Sequence, residues 1–308
     1  MEAYQKLKEE IAQGDFRALA RGLTLVENEL EPASSLLKGM QINQHIPVIG
    51  ITGPPGAGKS TLVNAIVSHF VKAGKRIAVL AVDPTSPFNF GSLLGDRIRM
   101  AQQFNKPNVY IRSIATRGSL GGISAKTLEM VDLIRSSNFD LILVETVGVG
   151  QSEVEIAGLA DKTMVVLVPE SGDEIQNIKS GLMEIAQAFV VNKADREGAS
   201  TFANNLKKLL NQQHQQIPIF KTVADKNEGI EALCNWLVKQ EKVNSDRKNF
   251  LLAEKAFKII QYKFTSGIDK VKLKEDISKA ALKANFNIYR FVDERLNQVE
   301  KTEDGLSG

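Results

Sequence analysis

The sequence predicts an α/β fold, a doubly wound and mostly parallel sheet. Three observations predict it. Short apolar runs alternate with helical patterns between about residues 46 and 240. Most of these runs are apolar throughout, as strands buried on both faces of a parallel sheet are. The first run leads directly into Gly53-Pro54-Pro55-Gly56-Ala57-Gly58-Lys59-Ser60 and then a helical pattern, the strand–turn–helix context of a phosphate-binding loop.

Taken in order, residues 1–45 read as a helical extension. Ile11, Leu19, Leu23, Val26 and Leu30 recur at roughly helical spacing, and Gly14-Asp15 predicts a break with Asp15 capping a second helix. Strands are expected at 47–52, 76–82, 109–114, 140–145, 163–168, 187–192 and 217–221, joined by segments long enough for crossover helices. They define a nucleotide-binding domain over 46–243. Cys234 falls in Ile230-Glu231-Ala232-Leu233-Cys234-Asn235-Trp236-Leu237, a predicted amphipathic helix, as core filler. From 244 the β-runs cease and a Lys/Glu-rich helical pattern runs to about 303, with 304–308 a polar tail. Leu273, Ile277, Ala281, Ala284, Ile288, Val292 and Leu296 form one stripe. Such a stripe packs on its own domain or, as an arm, on a second subunit.

Composition excludes several classes. A net charge of +3 scattered over 308 residues builds no basic face for nucleic acid or an anionic membrane. No apolar run approaches the roughly 20 residues that span a bilayer. The opening residues carry no apolar leader, and a single cysteine forms no internal disulfide, so the expected location is cytoplasmic or an equivalent reducing space.

The phosphate loop carries the most specific chemistry. Its glycines let successive N–H groups point at one phosphate, and the helix that follows adds its positive end. Gly53, Pro54, Pro55, Gly56, Ala57, Gly58, Lys59, Ser60 and Thr61 form the expected cradle, with Lys59 reaching the β- and γ-phosphates and Ser60 ligating Mg²⁺. A second motif, Asn192-Lys193-Ala194-Asp195, closes a late strand. A carboxylate in the plane of a base accepts from guanine N1–H and its 2-amino group, donors that adenine lacks there, so Asp195 selects GTP over ATP. Asn192 is expected to brace the loop and the Lys193 stem to cover one face of the base. Ala224, in Thr222-Val223-Ala224 after the last strand, is the candidate N–H donor to guanine O6, while Asp225-Lys226-Asn227 reads as a turn.

Two further segments bear on metal and hydrolysis. Asp140-Leu141-Ile142-Leu143-Val144-Glu145 ends a strand in a carboxylate expected to hold Mg²⁺ through water, and Gly148 N–H is expected on the γ-phosphate. Loss of that phosphate would release the loop. Asp83 ends the second strand before Pro84, and Asp96 lies in the glycine-containing stretch that follows. Both are candidates for the metal shell or for orienting the attacking water; Asp96 alternatively caps a helix at Arg97-Ile98-Arg99-Met100.

In this order the motifs closely resemble the MeaB/ArgK family of P-loop GTPases. The resemblance rests on Val82-Asp83-Pro84-Thr85-Ser86, Gly91-Ser92-Leu93-Leu94-Gly95-Asp96, Arg117-Gly118-Ser119-Leu120-Gly121-Gly122, the run from Val144 to Glu153, and the run from Gly172 to Gly181. It implies a chaperone of an adenosylcobalamin-dependent acyl-CoA mutase, chiefly methylmalonyl-CoA mutase, with slow GTP hydrolysis that the mutase accelerates. It implies bound GTP or GDP with Mg²⁺, no tightly held cobalamin, a homodimer built by the C-terminal arm, and a cobalamin adenosyltransferase as a further candidate partner. On the family pattern Ser60, Asp83 and Glu145 serve the metal, and Asp96 belongs to the first switch. Residues 148–153 form the second switch. Lys179, in an additional switch at 172–181, stabilises charge on the transferring phosphate.

Pro169-Glu170-Ser171-Gly172 replaces a more usual Pro-Gly-Ala-Gly, and Pro87-Phe88-Asn89-Phe90 also departs from the pattern. Both departures point to a partner surface suited to a different mutase, such as one acting on isobutyryl-CoA. The competing functions are a metal-insertion chaperone, a small-molecule kinase and a transport ATPase. His45, His69, His214 and Cys234 are not at metal-ligand spacing, no acceptor-binding domain is evident, and Asp195 disfavours ATP.

Overall fold

A computed structural model describes residues 2–83, 103, 106–115, 125–146, 156–170, 181–212, 214–239, 245–265, 268–282 and 286–295. All seven expected strands are present: β1 (Val48–Thr52), β2 (Ile77–Asp83), β3 (Val109–Ala115), β4 (Leu141–Thr146), β5 (Lys162–Leu167), β6 (Ala188–Val191) and β7 (Ile219–Lys221). They form one parallel sheet in the order β3-β2-β4-β1-β5-β6-β7. β1 is central, paired with β4 on one side and β5 on the other. The sheet reverses winding there, and such a switch point opens a crevice at the carboxyl ends of the strands.

Strand alternation distributes the core. Ile49, Ile51, Val79, Leu143, Met164, Val166 and Val190 pack with Leu62, Val63 and Ile66 of α4 (Lys59–Lys72) and with Ile230, Leu233 and Cys234 of a C-terminal helix (Ile230–Val238). On the opposite face Leu80, Ile142 and Val144 meet α1 (Glu2–Ala12), α2 (Phe16–Glu27), α3 (Ala33–Gly39) and α5 (Ala125–Arg135). Further along that face Val165, Leu167, Phe189 and Val191 pack with α6 (Leu182–Ile185) and α7 (Ala199–Gln212), and the Ile230–Val238 helix is α8.

The N-terminal helices belong to this core. Ile11, Leu19, Leu23, Val26 and Leu36 are fully buried, and each such side chain contributes about 1.5–3 kcal/mol relative to exposure. Asp15 caps α2 as its position predicts, accepting from Ala18 N at 2.7 Å. Leu30 departs from the predicted stripe. α2 ends at Glu27, Leu30 lies in the turn after it at 50% exposure, and Pro32 starts a third helix that the helical spacing had merged with the second.

At the amino ends of the strands, Arg135 donates to Ile46 O and pairs with Asp161, whose Oδ2 also accepts from Val48 N at 2.8 Å. This network fixes where β1 begins. α9 (Ser245–Thr265) and α10 (Lys270–Ala280) follow. The chain divides into two compact units, Met1–Ala256 and Phe257–Gly308. Within the second unit no described side chain is buried, and Phe264 and Leu282 are 79% and 87% exposed. Among the described residues no helix is long and apolar enough to cross a membrane.

Asp15→Ala is expected to lower stability by about 1 kcal/mol through loss of the cap. Urea unfolding of the full chain reads this, with nucleotide affinity unchanged.

Candidate functional site

The phosphate loop bridges β1 and α4. Gly53 has φ +139°, and a Cβ there would stand 2.1 Å from Val166 O on β5. Only glycine lets the chain pass so close to the neighbouring strand. Gly58 precedes α4 in the left-handed region, φ +84°, and a Cβ there would meet Asn192 Nδ2 at 2.4 Å. No side chain caps α4, and its first helical bond runs from Leu62 N to Gly58 O. The N–H groups of Lys59, Ser60 and Thr61 therefore lie before the helical ladder begins, as an anion-binding helix terminus requires. Lys59 is buried, and its ammonium donates to Gly53 O at 2.7 Å and Pro54 O at 2.9 Å, spanning the curl of the loop.

The end of β4 lies beside this helix start. Ser60 Oγ donates to Glu145 Oε1 at 2.7 Å, with both residues buried. The next residue, Thr146, bonds Thr52 Oγ1 at 3.0 Å across the strand ends. Ser60 and Glu145 are thus adjacent hard-oxygen donors, the kind Mg²⁺ takes. Among the described residues no group of three or more His, Cys, Asp or Glu converges as a metal cage.

The Asn192–Asp195 segment meets the phosphate loop directly. Asn192 Nδ2 donates to Ala57 O at 3.0 Å, and its Oδ1 accepts from Thr222 Oγ1 at 3.1 Å and Ala224 N at 3.3 Å. Lys193, held at φ +55°, donates from Nζ to Gly56 O at 2.8 Å, so its side chain spans from this segment to the phosphate loop. Asp195 accepts from Lys226 Nζ at 2.7 Å, and this bond holds its carboxyl below the usual aspartate range. Next to it Arg196 pairs with Glu170, which also lowers the Glu170 carboxyl.

The structure therefore brings Gly53–Thr61, Glu145, Asn192, Lys193, Asp195 and Ala224 to one end of the sheet. Ala224 N–H donates to Asn192 Oδ1 within the protein at 3.3 Å, so the single donor expected on guanine O6 is engaged by the base loop itself. Asp83 ends β2, but its side chain lies outside the described residues, as do Asp96, Gly148 and Lys179 entirely. Sequence reasoning missed Thr222, Thr146 and Lys226 as members of the site. Thr222 was legible as a hydroxyl directly after β7; nothing in the spacing marks Lys226.

A cleft of about 1140 Å³ opens at the other end of the sheet, lined by His45, His69, Asp140, Asp161, Gln187 and Lys255 among others. It faces the amino ends of the strands, the wrong end for a ligand of a parallel α/β sheet. Of its charged groups, Lys75 pairs with Asp140, Arg135 with Asp161 and Lys255 with Asp132.

A family model described as methylmalonyl Co-A mutase-associated GTPase MeaB matches residues 19–260. A Pyrococcus horikoshii protein named as a GTPase is 45% identical over 259 residues, 80% of this chain and 79% of that one. The mouse protein named methylmalonic aciduria type A homolog, mitochondrial, is 40% identical over 200 residues, 60% of this chain and 48% of that one. A crystal structure of an LAO/AO transport system kinase superposes with a TM-score of 0.64 at 25% identity, covering 98% of this chain and 93% of that one.

Gly58→Ala is expected to weaken nucleoside triphosphate binding about tenfold or more, because the added methyl is strained at positive φ and displaces Asn192. Gly74→Ala, also at positive φ (+75°) but with nothing within 4 Å of the new methyl, is the control: equilibrium titration should show wild-type affinity.

Proposed function

This chain belongs to the methylmalonyl Co-A mutase-associated GTPase (MeaB) family and is a GTPase, and on that premise we propose that it is the nucleotide-timed chaperone of an adenosylcobalamin-dependent acyl-CoA mutase. In this reading it gates cofactor loading and protects or reactivates the mutase. One observation carries the nucleotide half of the proposal. Asn192 and Lys193 bond the backbone of Ala57 and Gly56, so a triphosphate in the loop lies beside the base-reading carboxylate. The mutase half rests on the family description and on the name of the mouse relative.

The residues divide the work as follows. Backbone N–H groups of residues 56–61 cradle the phosphates. Lys59 exchanges the carbonyls of Gly53 and Pro54 for β- and γ-phosphate oxygens, a change from dipole to full charge that favours the triphosphate. Asp195 accepts from guanine N1–H and the 2-amino group, and Lys193 covers one face of the base. Ser60 and Glu145 fit Mg²⁺, with Asp83 as the third candidate; the ion supplies charge neutralisation on the β- and γ-oxygens when bound. Asp96, Gly148 and Lys179 are assigned to the switches that sense the γ-phosphate and stabilise its transfer to water. The exposed apolar residues of the second unit, Phe257, Phe264, Val271 and Leu282 among them, suit a homodimer contact. The partner set is the mutase and, as a second candidate, a cobalamin adenosyltransferase.

Asp195→Asn is expected to lower GTP affinity about a hundredfold or more and to admit xanthosine triphosphate, whose extra carbonyl faces the new amide. Titration of both nucleotides tests this, and unchanged GTP affinity rejects the base assignment. Lys59→Ala should abolish most GTP turnover while circular dichroism stays native. Capture from native extract on the full chain, loaded with a non-hydrolysable GTP analogue, should retain an acyl-CoA mutase. Retention of a nickel enzyme instead would favour metal insertion.

A further inference from the structure

We propose that Lys226 is a positioning residue for guanine recognition, holding the Asp195 carboxylate in the orientation that engages both N1–H and the 2-amino group. This rests on the assignment of Asp195 as the base reader. The middle residue of Thr222-Val223-Ala224 is Val223, whose side chain offers no hydrogen bond, so the loop after β7 reaches the carboxylate through Lys226 instead.

The backbone of that loop is built to hold Lys226 in place. Val223 and Glu228 bond each other in both directions, N to O at 3.1 and 3.2 Å, closing the segment between them. Ala224–Lys226 forms one 3₁₀ turn, with Lys226 N bonded to Val223 O at 3.0 Å. Ala224 N and the Thr222 hydroxyl both bond Asn192 Oδ1, which ties the loop to the residue three before Asp195. Ala194 N donates to Thr222 O at 3.0 Å, a third link between the same two loops. With both backbones fixed, the 2.7 Å bond from Lys226 Nζ to Asp195 Oδ2 sets the carboxylate plane.

The chemistry follows from how many bonds a carboxylate accepts. Two oxygens offer about four lone-pair directions, so the ammonium and the two guanine donors can all be accommodated. The pair is half-exposed, 54% and 41% on its side chains, so it does little for the fold. A base stacked beside it displaces water and strengthens the attraction. Besides Lys226, Arg196 faces Asp195, and Asp225 and Glu228 face Lys226. Lys226 is the cation in direct contact, so its removal frees the carboxylate to rotate away from the second donor.

The test is affinity of the full chain, with Mg²⁺, for GTP, inosine triphosphate and ATP. Inosine keeps N1–H and lacks the 2-amino group. Lys226→Met is expected to weaken GTP roughly three- to tenfold, weaken inosine triphosphate less, and leave ATP unchanged, so the preference for GTP over inosine triphosphate shrinks. Lys226→Arg should restore most of it. In an Asp195→Asn background, Lys226→Met should add no further loss. A uniform change across all three nucleotides would mean that Lys226 only supports the loop. Tighter GTP binding would mean that it competes for the carboxylate, and either result overturns the proposal. If Asp195→Asn itself leaves GTP preference intact, the base assignment fails and Lys226 falls with it. If Asp195→Asn behaves as expected and Lys226→Met does not, only the role of Lys226 is lost.

Discussion

The side-chain amide of Asn192 donates to Ala57 O in the phosphate loop and accepts from Thr222 and Ala224 in the loop after β7. Three segments far apart in the sequence meet on one buried side chain. An amide suits this place because it presents donors and an acceptor on one rigid plane. The missing Cβ of Gly58 makes room for its nitrogen, so the glycine of the phosphate loop and the asparagine of the base loop are a matched pair. The spacing between the phosphate loop and Asp195 depends on that fit.

A second constraint acts on the metal side. Glu145 is a buried carboxylate, and burial of a charge is costly unless it is bonded. Its bond to Ser60 joins the end of β4 to the first turn of α4. Glutamate is one methylene longer than aspartate, and its Oε1 accepts from the serine hydroxyl at 2.7 Å. Thr146 and Thr52, one residue further along their strands, bond each other and tie the two strand ends together.

Much of this was legible in the sequence, for physical reasons. Strands buried on both faces read as unbroken apolar runs, so all seven were located to within two residues. The phosphate loop and Asn192–Asp195 were legible because few residue types satisfy their geometry. Where the signal was weak, the reading failed in understandable ways. Periodicity joined α2 and α3 because Leu30 keeps the helical spacing even though the helix ends at Glu27. The roles of Thr146 and Lys226 were not legible, since each depends on a contact across thirty or more residues that no local pattern encodes. The Glu170–Arg196 pair, on loops of ordinary composition and 26 residues apart, was not legible either.

The central place of β1 has a consequence for how the chain is made. Its two neighbours, β4 and β5, lie about a hundred residues downstream, and among the described residues nothing in between pairs with it. As the polypeptide leaves the ribosome, Val48–Thr52 emerges without a strand to pair with until Leu141–Leu167 has been synthesised, although α4 and the N-terminal helices that pack on it are made earlier. During that interval both backbone edges of the strand lack their ladder partners, and unpaired strand edges are prone to wrong association. The strand at the centre of the finished sheet is thus the one whose strand partners are made longest after it.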